Sequence, residues 1–132
     1  MLTSCHSAVV PLGASSRRCI SAISTPQERA NLAIYDPKVA REQIYADLGK
    51  ESMEKIQIED DPYVTCAGAH AIAILTEWDA FKTLDYKRIF DSMSKPAFIF
   101  DGRNILDIAK LQAIGFNCWA VGKSLNPPSD IF

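Results

Sequence analysis

Apolar residues along this chain fall in short runs, and the runs alternate with stretches of helical spacing. Asn31 to Tyr35 reads as an apolar strand closed by the breaker pair Asp36-Pro37. Val39 to Leu48 carries apolar residues at 39, 40, 44, 45 and 48, the spacing of one helix face, and Gly49 stops it. Lys55 to Ile58 fits a short strand. Asp61-Pro62 reads as an N-cap and first-turn proline opening a short helix that ends near Gly68. Ala69 to Leu75 is nearly unbroken apolar sequence, as expected of a strand buried on both faces. Asp85 opens a helix through Met93, with Tyr86, Ile89, Phe90 and Met93 on one side. A strand over Ala97 to Phe100, a helix over Asp107 to Ile114 stopped by Gly115, and a strand over Asn117 to Val121 follow. Asn126-Pro127-Pro128 is a loop.

Strands alternating with helices predict a parallel sheet covered by helices, a doubly wound α/β fold of Rossmann-like, three-layer type. Ligands of such sheets bind outside the carboxyl ends of the strands. The loops after residues 35, 75 and 100 are therefore where chemistry is expected.

Composition narrows this picture. With 132 residues, 48% hydrophobic and a net charge of −2, the chain is one domain with room for a sizeable core. The near-neutral charge lacks the footprint of a nucleic-acid binder. No apolar run approaches the roughly 18–20 residues of a membrane helix. Residues 1–27 stand apart: they hold Arg17, Arg18 and six serines, while all 16 acidic residues lie beyond them. That is the composition of an irregular or transit-like segment. The expected division is thus 1–27, a ligand-binding domain over 28–124, and a tail over 125–132.

Cys5, Cys19, Cys66 and Cys118 form neither a C-x-x-C pair nor a disulfide framework. Cys66 and His70 are four apart, but Gly68 lies between them and no third ligand is near, so no metal site is expected. Cys118 lies in an alternating strand with no histidine beside it, which argues against a nucleophile. His70 reads as a packed, hydrogen-bonded histidine opening its strand, and Lys95 and Lys123 as solvated.

Three strand ends carry candidate chemistry. Phe98-Ile-Phe-Asp-Gly-Arg-Asn104 runs a buried strand into Asp101, Gly102, Arg103 and Asn104. Gly102 permits a tight turn or close backbone approach. Arg103 offers a permanently charged planar fork suited to phosphate. An anion site and a solvated turn with a surface arginine fit these residues equally. In Ile74-Leu-Thr-Glu-Trp-Asp-Ala-Phe81, Thr76, Glu77 and Asp79 follow a strand end. A carboxylate here would suit acid–base work, but the favoured reading has Thr76 and Asp79 capping backbone donors while Trp78 and Phe81 pack. Asp36 ends a strand where a dinucleotide domain holds a ribose hydroxyl. That role needs a G-x-G-x-x-G turn upstream, and Pro11-Leu-Gly-Ala-Ser-Ser16 does not match it, so Asp36 reads as a turn residue.

Ala30 to Val39, Ala71 to Phe81, Lys95 to Asn104, and Ile114-Gly-Phe116 with Val121-Gly-Lys123 together resemble the C-terminal domain of the eukaryotic UDP-glucose 6-dehydrogenase family. The likeness runs from about Pro26 to Lys123. It implies a cytosolic, oligomeric enzyme that oxidises the C6 alcohol of UDP-glucose to a carboxylate with NAD. In that family the N-terminal domain holds NAD, a central helix supports dimers, and the C-terminal domain closes over UDP. The resemblance places the arginine that contacts substrate on Arg103, with Asp101, Gly102 and Asn104 as its supporting loop.

Departures from the family are equally informative. Its catalytic cysteine segment, its NAD glycine loop and the Phe-Lys-x-Asp-Thr-x-Asp-x-Arg segment after this domain's first strand have no counterpart here. The implied ligand is UDP-glucose, with no catalytic residue and no NAD site in this chain alone. Pairing with full-length family subunits, as a binding module, is the second reading, and an incomplete gene product the third. Where the first strand belongs, only Ala8-Val-Val-Pro-Leu12 is available, and a proline is ill suited to a central strand. A poorly replaced or missing first strand, and a marginally stable domain, are expected.

Overall fold

Aspartate and glycine set most element boundaries in the computed structural model, which describes residues 6–9, 31–48 and 56–122. Its strands are β1 (His6–Val9), β2 (Asn31–Ile34), β3 (Ile56–Ile58), β4 (Ala71–Ile74), β5 (Phe98–Asp101) and β6 (Asn117–Ala120). Its helices are α1 (Arg41–Leu48), α2 (Pro62–Cys66), α3 (Tyr86–Ser92) and α4 (Ile108–Ile114), with a 3-10 turn at Asp79–Lys82. The carboxylate of Asp61 accepts from the Tyr63 amide, that of Asp85 from Arg88, and that of Asp107 from Lys110. Each satisfies a first-turn donor that the helix leaves unpaired. Gly115 ends α4 at φ +126°, and a Cβ there would meet the Phe90 ring at 2.8 Å. Only glycine allows both the turn and the edge-on packing of Phe90 against Phe116.

The strands form one parallel sheet in the order β3-β2-β1-β4-β5-β6. Two cores lie on its two faces. Leu32 and Ile34 of β2 and Ile56 and Ile58 of β3 pack with Ile44 of α1. On the other face Ile72, Ile74, Ile99 and Cys118 pack with Cys66, Ile89, Met93, Ile108 and Leu111 of α2, α3 and α4. Alternation along β4 links the two, since Ile72 and Ile74 belong to the second core while Ala73 and Leu75 pack against the first.

The first strand corrects an expectation. β1 occupies the centre of the sheet, pairing with β2 through Ala8 and Val9 and with β4 through the same two residues. It spans His6–Val9 and joins β2 to β4, so the sheet has no gap there. Four residues of the segment expected to be irregular thus belong to the fold. The remainder of that segment, and the tail from 125, lie outside the described residues.

A second correction concerns β4 and β5, expected to be buried on both faces. Ile72 and Ile74 are buried while Ala71 and Ala73 are half-buried, and Phe100 of β5 remains 44% exposed. The three helices packed here all cover the Ile99 side. Phe98, Phe100 and Trp119 instead stack on one another on the opposite face, with ring centroids 5.2–6.5 Å apart.

Burial has a consequence for pH. The Cys66 thiol is pushed up to about 12 by burial, with Asp61 adding to it, and Cys118 to about 11 by burial and then Asp101. Burial also raises the Tyr86 phenol, whose hydroxyl donates to the Phe81 carbonyl. These groups stay neutral in the fold, while unfolded thiols ionise from about 9. Stability is therefore full below about pH 9 and is lost as pH rises toward the folded values. Urea melts should show a lower midpoint at about pH 10.5 than at about pH 8, a loss of about 2–4 kcal/mol of stability. The loss should shrink in Cys66→Ala; an unchanged midpoint would refute the reading.

Candidate functional site

Strand alternation dictates the chemistry at the end of β5. Because Ile99 faces the core, Asp101 must face it too, and its side chain is only 1% exposed. A buried carboxylate has to be met by donors, and three backbone amides meet it. Oδ1 accepts from Arg103 at 3.1 Å and Asn104 at 2.7 Å, and Oδ2 from Leu106 at 2.8 Å. Asp101 therefore builds the loop from within and is turned away from any ligand. Asn104 adopts φ +59°, a left-handed conformation that this short polar side chain tolerates.

Gly102 stitches that loop to the neighbouring strand. Its amide donates to the Ile74 carbonyl at 2.9 Å, and a Cβ would stand 3.0 Å from the same oxygen. Arg103 extends the stitch with its side chain: Nε donates to the Leu75 carbonyl at 3.0 Å, and one terminal nitrogen comes within 3.9 Å of Glu77 Oε1. The guanidinium is 42% exposed and spends one of its five donors on that hydrogen bond. It is a cation held in place with donors to spare.

The loop after β2 is fastened to the same region. Asp36 Oδ1 accepts from the amides of Lys38 at 2.8 Å and Val39 at 3.1 Å, the turn role expected of it. Its Oδ2 accepts from Trp78 Nε1 at 3.4 Å, and Lys38 Nζ lies 5.4 Å from the centre of the Trp78 ring. Since β1 lies between β2 and β4, this bond ties two loops across the carboxyl end of β1. There the strand order reverses, the usual ligand position of such sheets.

Other candidates fall elsewhere. Thr76, only 5% exposed, caps nothing: its hydroxyl is buried without a partner. Asp79 pairs with Lys82 at 2.8 Å, which holds its carboxyl below the usual range, unlike a general acid. The Asp79 correction follows from the 3-10 turn, which brings Lys82 against Asp79 and buries Phe81. His70 sits in the bend before β4 instead of opening it. No group of three metal-ligating side chains occurs among the described residues. Cys5, Cys19 and Lys123 lie outside them, whereas Lys95 donates to the carbonyls of Phe90 and Met93. A hollow of about 500 Å³ lies beside Asp36, Lys38 and Arg41, and one of about 370 Å³ between α3 and α4. Reading the sequence missed the Leu75 carbonyl and Glu77 as partners of Arg103. Only the register of β4 against β5 brings them together.

Residues 15–108 match the family model described as "UDP-glucose/GDP-mannose dehydrogenase family, UDP binding domain". The chain belongs to the UDP-glucose/GDP-mannose dehydrogenase family. It is 46% identical to UDP-glucose 6-dehydrogenase 1 of Glycine max, over 76% of this chain and 24% of that one. With UDP-glucose 6-dehydrogenase of Bos taurus the identity is 52%, over 75% of this chain and 22% of the relative. The chain thus spans about a quarter of the length of these curated relatives. In solved structures the fold is similar to a phosphoglycerate oxidoreductase from Rhizobium etli (TM-score 0.64, 15% identity, 96% of this chain and 39% of that one). It is also similar to a formate dehydrogenase from Granulicella (TM-score 0.66, 12% identity, 96% and 34%). At those identities the likeness concerns the Rossmann-like fold. The family match takes in all three loops described above and stops at the first residue of α4.

Removing the Asp101 carboxylate leaves three amides unpaired around a buried space. Asp101→Ala should lower stability by about 2–4 kcal/mol in urea denaturation. Asp101→Asn, which keeps one acceptor oxygen, should cost less. Equal effects of the two would count against the three-amide account.

Proposed function

We propose that this chain is the UDP-sugar-binding domain of an NAD-dependent UDP-glucose 6-dehydrogenase, with Arg103 as the residue that meets the ligand's diphosphate. The observation that carries the reading is the Arg103 guanidinium. It stands at the carboxyl end of β5, on a loop fixed by Asp101, with donors left over. A planar fork of this kind suits phosphate oxygens, and its fixed position lowers the ordering cost of binding. The domain's membership of the family supports UDP as the nucleotide.

The oxidation itself needs groups that these residues do not supply. Asp36 stands where a ribose-binding carboxylate would, but Oδ1 is occupied by two amides and Oδ2 by Trp78, so it does not fit NAD. The Cys66 and Cys118 thiols are buried and held protonated at neutral pH, the opposite of an activated nucleophile. The chain's own part is to bind and orient a UDP-sugar; hydride transfer and covalent chemistry fall to the rest of a full-length subunit. The second reading, a binding module that pairs with full-length subunits, rests on the same arginine.

UDP should raise the melting temperature of the purified chain by about 10 °C at a hundredfold excess over Kd, corresponding to about 2.7 kcal/mol. Uridine should act far more weakly, and Arg103→Ala should abolish the UDP effect in thermal-shift titrations. No effect of UDP on the wild type refutes the proposal. With UDP-glucose and NAD the same preparation should form no NADH; measurable NADH absorbance would return catalysis to this chain.

A further inference from the structure

We propose that Glu77 is a positioning residue that sets the affinity of the Arg103 site by competing with the ligand phosphate for the guanidinium. The inference rests on the reading of Arg103 as the phosphate-binding residue and adds what controls it. Both partners of the guanidinium come from one three-residue stretch after β4. The Leu75 carbonyl receives Nε at 3.0 Å, and the Glu77 carboxylate faces a terminal nitrogen at 3.9 Å.

These contacts differ in kind. The first is a hydrogen bond of normal length to backbone, and the backbone there is locked by the Gly102 amide on Ile74. It can persist when a ligand arrives. The second is longer than a hydrogen bond, and the Glu77 side chain is 66% exposed, so little holds it in place. An arriving phosphate offers paired, charge-assisted bonds to the same edge of the guanidinium. Glu77 is therefore the partner that gives way. While the site is empty it keeps the fork turned toward the β4 loop, and its charge opposes an anionic ligand until it moves aside.

Thr76, between the two contacts, points the same way. Its buried hydroxyl has no partner in this arrangement. The resting stretch is thus short of its full complement of hydrogen bonds, and a rearrangement that supplies one is favoured. Asp79, two residues on, provides the control. It carries the same charge but pairs with Lys82, not with Arg103.

Calorimetric titration of the full chain with UDP at low salt tests this. Glu77→Gln should bind about two- to fivefold more tightly than wild type, the range expected for release of an exposed ion pair. Asp79→Asn should change affinity much less, and Glu77→Gln should not restore binding in an Arg103→Ala background. Without UDP, the Arg103 Nε–H resonance should already shift in Glu77→Gln and should move much less in Asp79→Asn. If wild type binds UDP and Glu77→Gln binds equally well, or if Asp79→Asn tightens binding as much, the competition is refuted and the UDP-binding reading stands. If neither wild type nor Glu77→Gln binds, both proposals fall.

Discussion

A carboxylate sealed inside a protein must be surrounded by donors, and the donors around Asp101 are the backbone of the very loop that follows it. Three amides aimed inward at one side chain force the loop to curl over the strand end, and that curl carries Arg103 outward. Gly102 completes the arrangement by letting the curled backbone come against β4. The exposed cation and the buried anion are thus two sides of one constraint. Without the aspartate, the arginine would sit on a loop with no fixed shape.

The sheet supplies the second half of the arrangement. Its parallel register sets β4 beside β5, so that the Leu75 carbonyl reaches the guanidinium. Its central β1 separates the loops after β2 and β4, and the Asp36–Trp78 bond spans that separation. The helices are distributed unequally: α2, α3 and α4 enclose a large core on one face, while α1 serves β2 and β3 on the other. The stacked rings of Phe98, Phe100 and Trp119 belong to neither cluster.

Much of this was legible along the chain because it is local. Aspartates before helices, Gly115 after one, and the apolar runs of β4 to β6 are short-range signals, and these elements lie within one or two residues of their expected limits. Arg103 stood out for the same reason: glycine and arginine directly after a strand. What stayed hidden depends on which strand lies beside which. Alternation along β5 turns Asp101 inward with Ile99, but nothing nearby in sequence says which amides meet its carboxylate. The central place of β1 was foreseeable, but its span, His6–Val9, lies earlier in the chain than Ala8-Val-Val-Pro-Leu12. Partnership between Asp36 and Trp78 spans 42 positions, and no pattern of neighbours announces it.

That last partnership gives the molecule an optical property. Trp78 has its indole N–H on a carboxylate of one loop and its ring near the ammonium of Lys38, while its own backbone belongs to the loop that holds Arg103. Its emission is therefore governed by the spacing of the loops that frame the ligand position. The other tryptophan, Trp119, stacks instead on Phe98 and Phe100 of the neighbouring β5. Of the two indoles, Trp78 is the one that bonds across the loops framing the ligand position.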